Sequence, residues 1–197
     1  MSDVELPLFP LNTVLFPGGP LPLRIFEARY VDMVGDCLRN DRGFGVCLIR
    51  EGTEAGPAAS TFEVGTVARI ADWTRLEDGL LGVTAVGGQR FRLMEREVRP
   101  DQLVMGRVAL LEPEPSGGLP PERAALAGLL RELTSRLHTL YAPLPAHYDD
   151  SSWVGYRLAE LLPLPLARKQ QLLELEDPLL RLSQLDGILR SFAEKGA

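Results

Sequence analysis

The chain is short of the residues that do most enzyme chemistry. In 197 residues it has two histidines (His138 and His147), two cysteines (Cys37 and Cys47) and two lysines (Lys169 and Lys195). A metal centre needs several nitrogen, sulfur or carboxylate donors that converge. The nearest approach to such a grouping is His138 and His147 with Asp149 and Asp150, and the Asp pair is accounted for as a helix cap. No metal is expected. No G-x-S-x-G elbow presents a serine, and Ser135 with His138, three apart on one helix, is not a nucleophile with an oriented base. Cys47 sits in the apolar run FGVCLI and Cys37 on the apolar side of a helix, which predicts buried thiols rather than a disulfide or a reactive centre. No G-x-x-x-x-G-K-[ST] loop occurs, and no cofactor or enzyme activity is expected. The opening MSDVELPLF has no basic start followed by a continuous apolar stretch, and no later run is long and uncharged enough to span a bilayer, so a cytoplasmic protein is expected. Positive charge is also scarce, with a formal net charge of -6. Long-range attraction to phosphate is therefore unfavourable.

What the sequence has instead is apolar residues punctuated by 16 prolines and 19 glycines, with 45% hydrophobic and 24% charged residues. That balance belongs to a folded domain. Up to residue 112 the apolar runs are short and separated by Pro, Gly and Asp, as in β-structure. One helix, about 27–39, interrupts them, with Tyr30, Val34, Cys37 and Leu38 at three- and four-residue spacing. Asp78-Gly79 and Gly87-Gly88 each suit a tight two-residue hairpin loop, which predicts strands over 64–77, 80–86, 89–97 and 104–111. Short strands, tight turns and one helix point to a closed or nearly closed barrel.

The stretch EPEPSGGLPPE, 112–122, holds four prolines and two glycines and predicts a linker. Beyond it the period is helical. Leu126, Leu129, Leu130, Leu133, Leu137 and Leu140 form a stripe along a helix over 123–141. A second helix begins near Trp153 after Asp149-Asp150-Ser151-Ser152, whose side-chain oxygens suit a cap, a third covers about 166–175, and a fourth starts at Asp177-Pro178, a cap followed by proline at the first helical position. Leu182, Leu185, Ile188, Leu189 and Phe192 are expected on its inner side. The organisation is α+β: a barrel domain over 1–112, a linker over 113–122 and an all-α helical domain over 123–197.

The richest local signal is LFPLNTVLFPGGPLPLRIFEARY, 8–30. Phe16-Pro17-Gly18-Gly19 fits a turn with proline second and glycine third. After it Pro20 and Pro22, two apart, strip N–H donors from one side of an extended strand, which makes that strand an edge. Its stiff apolar residues either blunt the edge against aggregation or offer a preorganised surface to an extended peptide. The candidate contact residues are Phe16, Pro17, Pro22, Phe26 and Trp73. A competing nucleic-acid surface is Arg90, Arg92 and Arg96, which alternation places on one face of a strand. A third possibility is an oligomeric scaffold in which the apolar face meets a second copy.

The segments LPLFPLNTVLFPGGPLPLRIFEARYVDMV, FGVCLI, VGTVARI, DGLLGVTAVGGQRFRL and LPLPLARKQQLLELEDPLLRLSQL, in that order, closely resemble the amino-terminal substrate-binding domain of the Lon protease family. The likeness covers most of the chain apart from the linker and the alanine-rich stretch at 124–130. It implies a PUA-like β-barrel followed by a helical part, and recognition of unfolded or tagged client polypeptides. Lon proteases continue into ATPase and Ser-Lys protease modules, and neither is present by Ala197. The expectation is a stand-alone, non-catalytic member that works with a protease or chaperone system.

Overall fold

The computed structural model describes residues 3–115, 117–137, 141 and 144–196. The chain divides into two compact units, Met1–Pro113 and Glu114–Ala197.

The first unit is a seven-stranded sheet with one helix. Its elements are β1 (Asp3–Leu11), β2 (Pro20–Ile25), α1 (Ala28–Arg39), β3 (Phe44–Glu51), β4 (Ser60–Thr61), β5 (Val64–Arg75), β6 (Leu81–Val98) and β7 (Val104–Leu110). The strand order is β1-β7-β6-β5-β3-β4. A parallel β1–β3 pairing, Leu8 opposite Gly45 to Leu11 opposite Leu48, brings the path of pairing back to β1. β2 lies off that path on β6, and β4 lies on β3 alone. The sheet as a whole is therefore not a closed barrel, where a closed or nearly closed one was expected. Among the described strands β2 and β4 each keep an open edge, and at β2 the missing proline N–H groups explain why no strand adds there.

Two hairpin expectations part company here. At Asp78-Gly79 the chain does turn: the Gly79 N–H donates to the Leu76 carbonyl at 2.9 Å and Gly79 has φ 83°. The loop is the three-residue kind, with glycine in the left-handed position, rather than the two-residue kind. At Gly87-Gly88 there is no turn, and β6 runs on through all 18 of its residues. Gly87 serves close approach instead. A Cβ there would lie 2.2 Å from the Phe16 carbonyl oxygen, and its backbone receives Gly18 N–H at 2.7 Å and donates to Gly19 at 2.9 Å.

The core of this unit gathers around aromatic rings. Phe9 stacks on Tyr30 at 4.0 Å and leans on Phe44 at 6.0 Å, with Leu21, Ile25, Met33, Val34, Cys37, Val83 and Ala85 buried around them. Leu38, expected on the inner side of α1, is 43% exposed, while Arg29 is buried. The Arg29 guanidinium bonds the Gln102 carbonyl at 2.9 Å, pairs with Glu27 at 2.8 Å and lies 4.6 Å from the centre of the Tyr30 ring.

The second unit comprises a 3-10 turn, Pro121–Arg123, and helices α2 (Ala124–Arg136), α3 (Ser151–Leu161), α4 (Leu166–Glu174) and α5 (Pro178–Gly196). The caps fall where side-chain chemistry places them: Asp150 Oδ1 accepts the Trp153 N–H at 2.7 Å, and Asp177 Oδ1 accepts the Leu179 N–H at 2.8 Å. Leu126 and Leu130 of α2, Val154 and Leu158 of α3, Leu172 and Leu173 of α4, and Leu182 and Leu185 of α5 are buried. Leu137 and Phe192, expected on inner faces, are 43% and 44% exposed, and Leu140 lies outside the described residues.

The start of the expected linker is part of this unit. The Glu114 side chain is 4% exposed and its carboxylate receives Arg181 at 2.5 and 2.9 Å, the Ser152 hydroxyl at 2.6 Å and the Tyr156 hydroxyl. The Leu119 N–H donates to Asp149 at 2.7 Å, and the Ser151 N–H to Gly117 at 2.9 Å. Prolines exclude α-helix and central strand, yet the buried Glu114 carboxylate and these backbone bonds tie the segment down.

Candidate functional site

Strand β2 decides what the sheet unit shows to solvent. Its register with β6 runs from Pro20 opposite Val86 to Ile25 opposite Leu81. The bond from the Gly87 N–H to the Gly19 carbonyl sets the parity, so the backbones of Gly19, Leu21, Leu23 and Ile25 address β6. Those of Pro20, Pro22 and Arg24 address the open side. That side carries three carbonyls and one N–H, since proline has none.

Hollows lie on both sides of this strand. One, of about 780 Å³, lies over β2, β6 and β5 and is lined by Pro22, Arg24, Trp73, Leu76 and the hairpin carboxylates Asp72, Glu77 and Asp78, among others. The register lines up Pro22, Thr84 and Asp72 across the three strands, and Arg24, Gly82 and Thr74 one step further on. The β5 bulge between Ile70 and Asp72 brings Asp72 onto that row. A second hollow, of about 370 Å³, shares Pro22 and adds Phe26, Glu27 and Glu54. Phe26 is 64% and Trp73 57% exposed, a large apolar presence for two aromatic residues close to an open edge.

Of the five expected contact residues, Pro22, Phe26 and Trp73 line these hollows. Phe16 does not. It is fully buried, and its carbonyl closes the turn by accepting the Gly19 N–H at 2.9 Å. The turn that Pro17-Gly18 sets, with Gly18 at φ 72°, points the ring inward; Pro17 itself is half-buried.

The arginine stripe is not a stripe. Arg90 is 4% exposed. A bulge between Leu93 and Glu95 adds one residue to β6, so Arg92 faces Ala109 of β7 and Arg96 faces Gly106, three positions along. An odd separation places them on opposite faces. Arg92 lies 4.0 Å from Glu63, and Arg96 donates to the Ala59 carbonyl at 3.1 Å. Nearby, Arg107 bridges Glu95 at 2.5 Å and Asp3 at 2.7 Å, and its hydrogen bond and charge hold the Glu95 carboxyl below its usual range. The β6–β7 surface thus carries its own counter-charges.

Burial pushes the Cys47 thiol up to about 12 and raises the Cys37 thiol as well, so neither supplies thiolate near neutral pH. Among the described residues no group of three or more His, Cys, Asp or Glu converges as a metal site; His138 lies outside them. No described helix is long and apolar enough to cross a membrane.

The carboxylates of the β5–β6 hairpin escaped sequence reasoning. Asp78-Gly79 signalled the turn, but nothing local showed that the turn sits beside Pro22 and Trp73.

The model of the ATP-dependent protease La (LON) substrate-binding domain matches residues 5–191, and the chain belongs to that family. A solved Lon N-terminal domain protein from Xanthomonas campestris is 41% identical, with TM-score 0.77 over 93% of this chain and 98% of that one. The N-terminal domain of a Mycobacterium avium complex Lon protease, 20% identical with TM-score 0.62 over 92% of this chain and 96% of that one, shares the fold. The Lon protease of Anaeromyxobacter dehalogenans is 32% identical over 86% of this chain, and Lon protease 2 of Myxococcus xanthus 32% over 87%. The chain spans 21% and 22% of the lengths of those two proteases.

Proposed function

We propose that the protein binds unfolded or client polypeptide segments, without cutting them, through the apolar surface around β2. One observation carries the reading: exposed Trp73 and exposed Phe26 each line a hollow beside the open edge strand β2, and Pro22 lines both hollows. Membership of the substrate-binding family supports it. Contact with a client that covers a further ~100 Å² of Trp73 contributes about 2.5 kcal/mol. Stiff proline flanks keep the ordering cost low. The first unit is then a PUA-like module, the helical unit its carboxyl-terminal companion, and a protease or chaperone system the partner that receives clients in the cytoplasm.

The test is a titration of the full chain with a fluorescently labelled unstructured peptide rich in aliphatic and aromatic residues, together with solution mass over a concentration series. Saturable binding by a species of constant mass supports the reading. A mass that rises with concentration while peptide binding falls would assign the surface to a second copy of the chain. A labelled single-stranded RNA that binds when the peptide does not would reverse the choice of ligand.

A further inference from the structure

We infer that the polypeptide segment held at β2 is basic as well as apolar, with arginine or lysine interleaved among its large apolar residues. The inference rests on the proposed function and adds to it the chemistry of the client.

Two independent features of the surface point the same way. The first is the backbone of the open edge. Pro20, Pro22 and Arg24 turn three carbonyls outward against the single N–H of Arg24. An added strand brings carbonyls and N–H groups in equal number, so most of its carbonyls would face no donor along this edge, and an unmet buried acceptor costs more than a met one contributes. A guanidinium or ammonium group brings donors and no acceptors. The edge suits side-chain capture and not backbone zippering.

The second feature is the charge around the two hollows. Their linings carry five carboxylates, Glu27, Glu54, Asp72, Glu77 and Asp78, against one guanidinium, Arg24. Some are already engaged. Asp78 pairs with Arg24, Glu27 with Arg29, Glu54 accepts the Asn12 N–H, and Asp72 accepts the Trp73 N–H. Adding the neighbouring Arg29 and Arg75 to the count leaves five acids against three bases. Taken separately, the hollow over β2, β6 and β5 sets Asp72, Glu77 and Asp78 against Arg24 and Arg75, an excess of one acid beside exposed Trp73, while the other balances Glu27 and Glu54 against Arg24 and Arg29 beside exposed Phe26. The first hollow favours a cation, which an aromatic ring also attracts. An acidic client would meet repulsion at the same place.

Three labelled unstructured peptides of equal length and identical apolar residues, carrying Arg, Gln or Glu at the interleaved positions, are titrated with the full chain at low and high salt. The Arg peptide is expected to bind about tenfold more tightly than the Glu peptide at low salt, with Gln between them, and the gap narrows as salt rises. Asp72→Asn combined with Glu77→Gln narrows the same gap at low salt, whereas Glu132→Gln, on α2, does not. Equal binding of all three peptides would overturn the charge preference and leave the proposed function standing. Failure of all three to bind would remove the proposed function and this inference with it.

Discussion

The two units differ in how far buried charge ties them together. The sheet unit buries Arg29, paired with Glu27, and Arg90, and leaves Asp72, Glu77 and Asp78 lining a hollow at its surface. The helical unit buries Arg157 and Arg181 at 1% and 0% exposure, and Glu114 joins Arg181 inside. Charges removed from water need complete sets of partners and so become structural ties, whereas charges left at a rim remain available to a ligand. Arg181 shows the first case, with further bonds to the Leu172 and Leu175 carbonyls at 2.9 and 2.6 Å and the Tyr156 ring 4.0 Å away. Asp72 and Glu77 show the second.

The largest effect should come from breaking the helical unit's tie. Arg181→Leu strands the Glu114 carboxylate and should lower unfolding stability by about 3–5 kcal/mol in urea titration, with Glu114→Gln in the same chain recovering part of it. The tie also sets a pH dependence. Burial alone raises the Glu114 carboxyl, but the hydrogen bonds and charge of Arg181 outweigh it and leave the group below its usual range. A depressed folded value means that stability is fully present above the unfolded carboxylate range and is lost as pH falls through the folded value. Acid unfolding curves of the wild type and of Arg181→Leu should therefore converge at low pH.

In the sheet unit, Gly87→Ala forces a methyl against the Phe16 carbonyl and should cost about 1–3 kcal/mol as an overpacking change. That substitution strains the turn leading into β2, so peptide affinity should fall with stability. Trp73→Ala separates the two quantities. Unfolding stability should move by less than about 0.5 kcal/mol for an exposed side chain, while peptide binding weakens by about 2 kcal/mol, roughly thirtyfold in Kd. The smallest effect belongs to the pair at 4.0 Å: Arg92→Gln should change stability by no more than about 0.5 kcal/mol, and peptide affinity not at all.

How far the sequence could be followed depends on how local the cause is. Gly79 in the hairpin loop, Asp150 and Asp177 at helix starts, and the blunted edge at Pro20 and Pro22 were all legible, because each follows from backbone chemistry within a few residues. Gly87-Gly88 was not. The same dipeptide serves a turn or a close approach, and only the presence of the Phe16 carbonyl distinguishes them. The arginine set failed for a similar reason: alternation holds until the bulge at Met94 reverses it, and nothing in LMERE announces a bulge. Phe16 was offered as a contact residue, yet it is fully buried.

Pro22, Phe26 and Trp73 were named from the sequence and line the hollows at β2, whereas the carboxylates beside them were not named. Asp72, Glu77 and Asp78 lie about fifty residues from Pro22 in the chain, and their relation to it exists only through the pairing of β2 with β6 and of β6 with β5.

By itself, then, the sequence determined the family, the strand-rich first part and helical second part, the caps, and an edge that no strand can extend, because proline geometry and hydrogen-bonding capacity are properties of single residues and their near neighbours. Only the tertiary structure decided which apolar residues face water and which carboxylates surround them. Burial and electrostatic field depend on what distant segments bring to the same place, and strand register, bulges included, sets that.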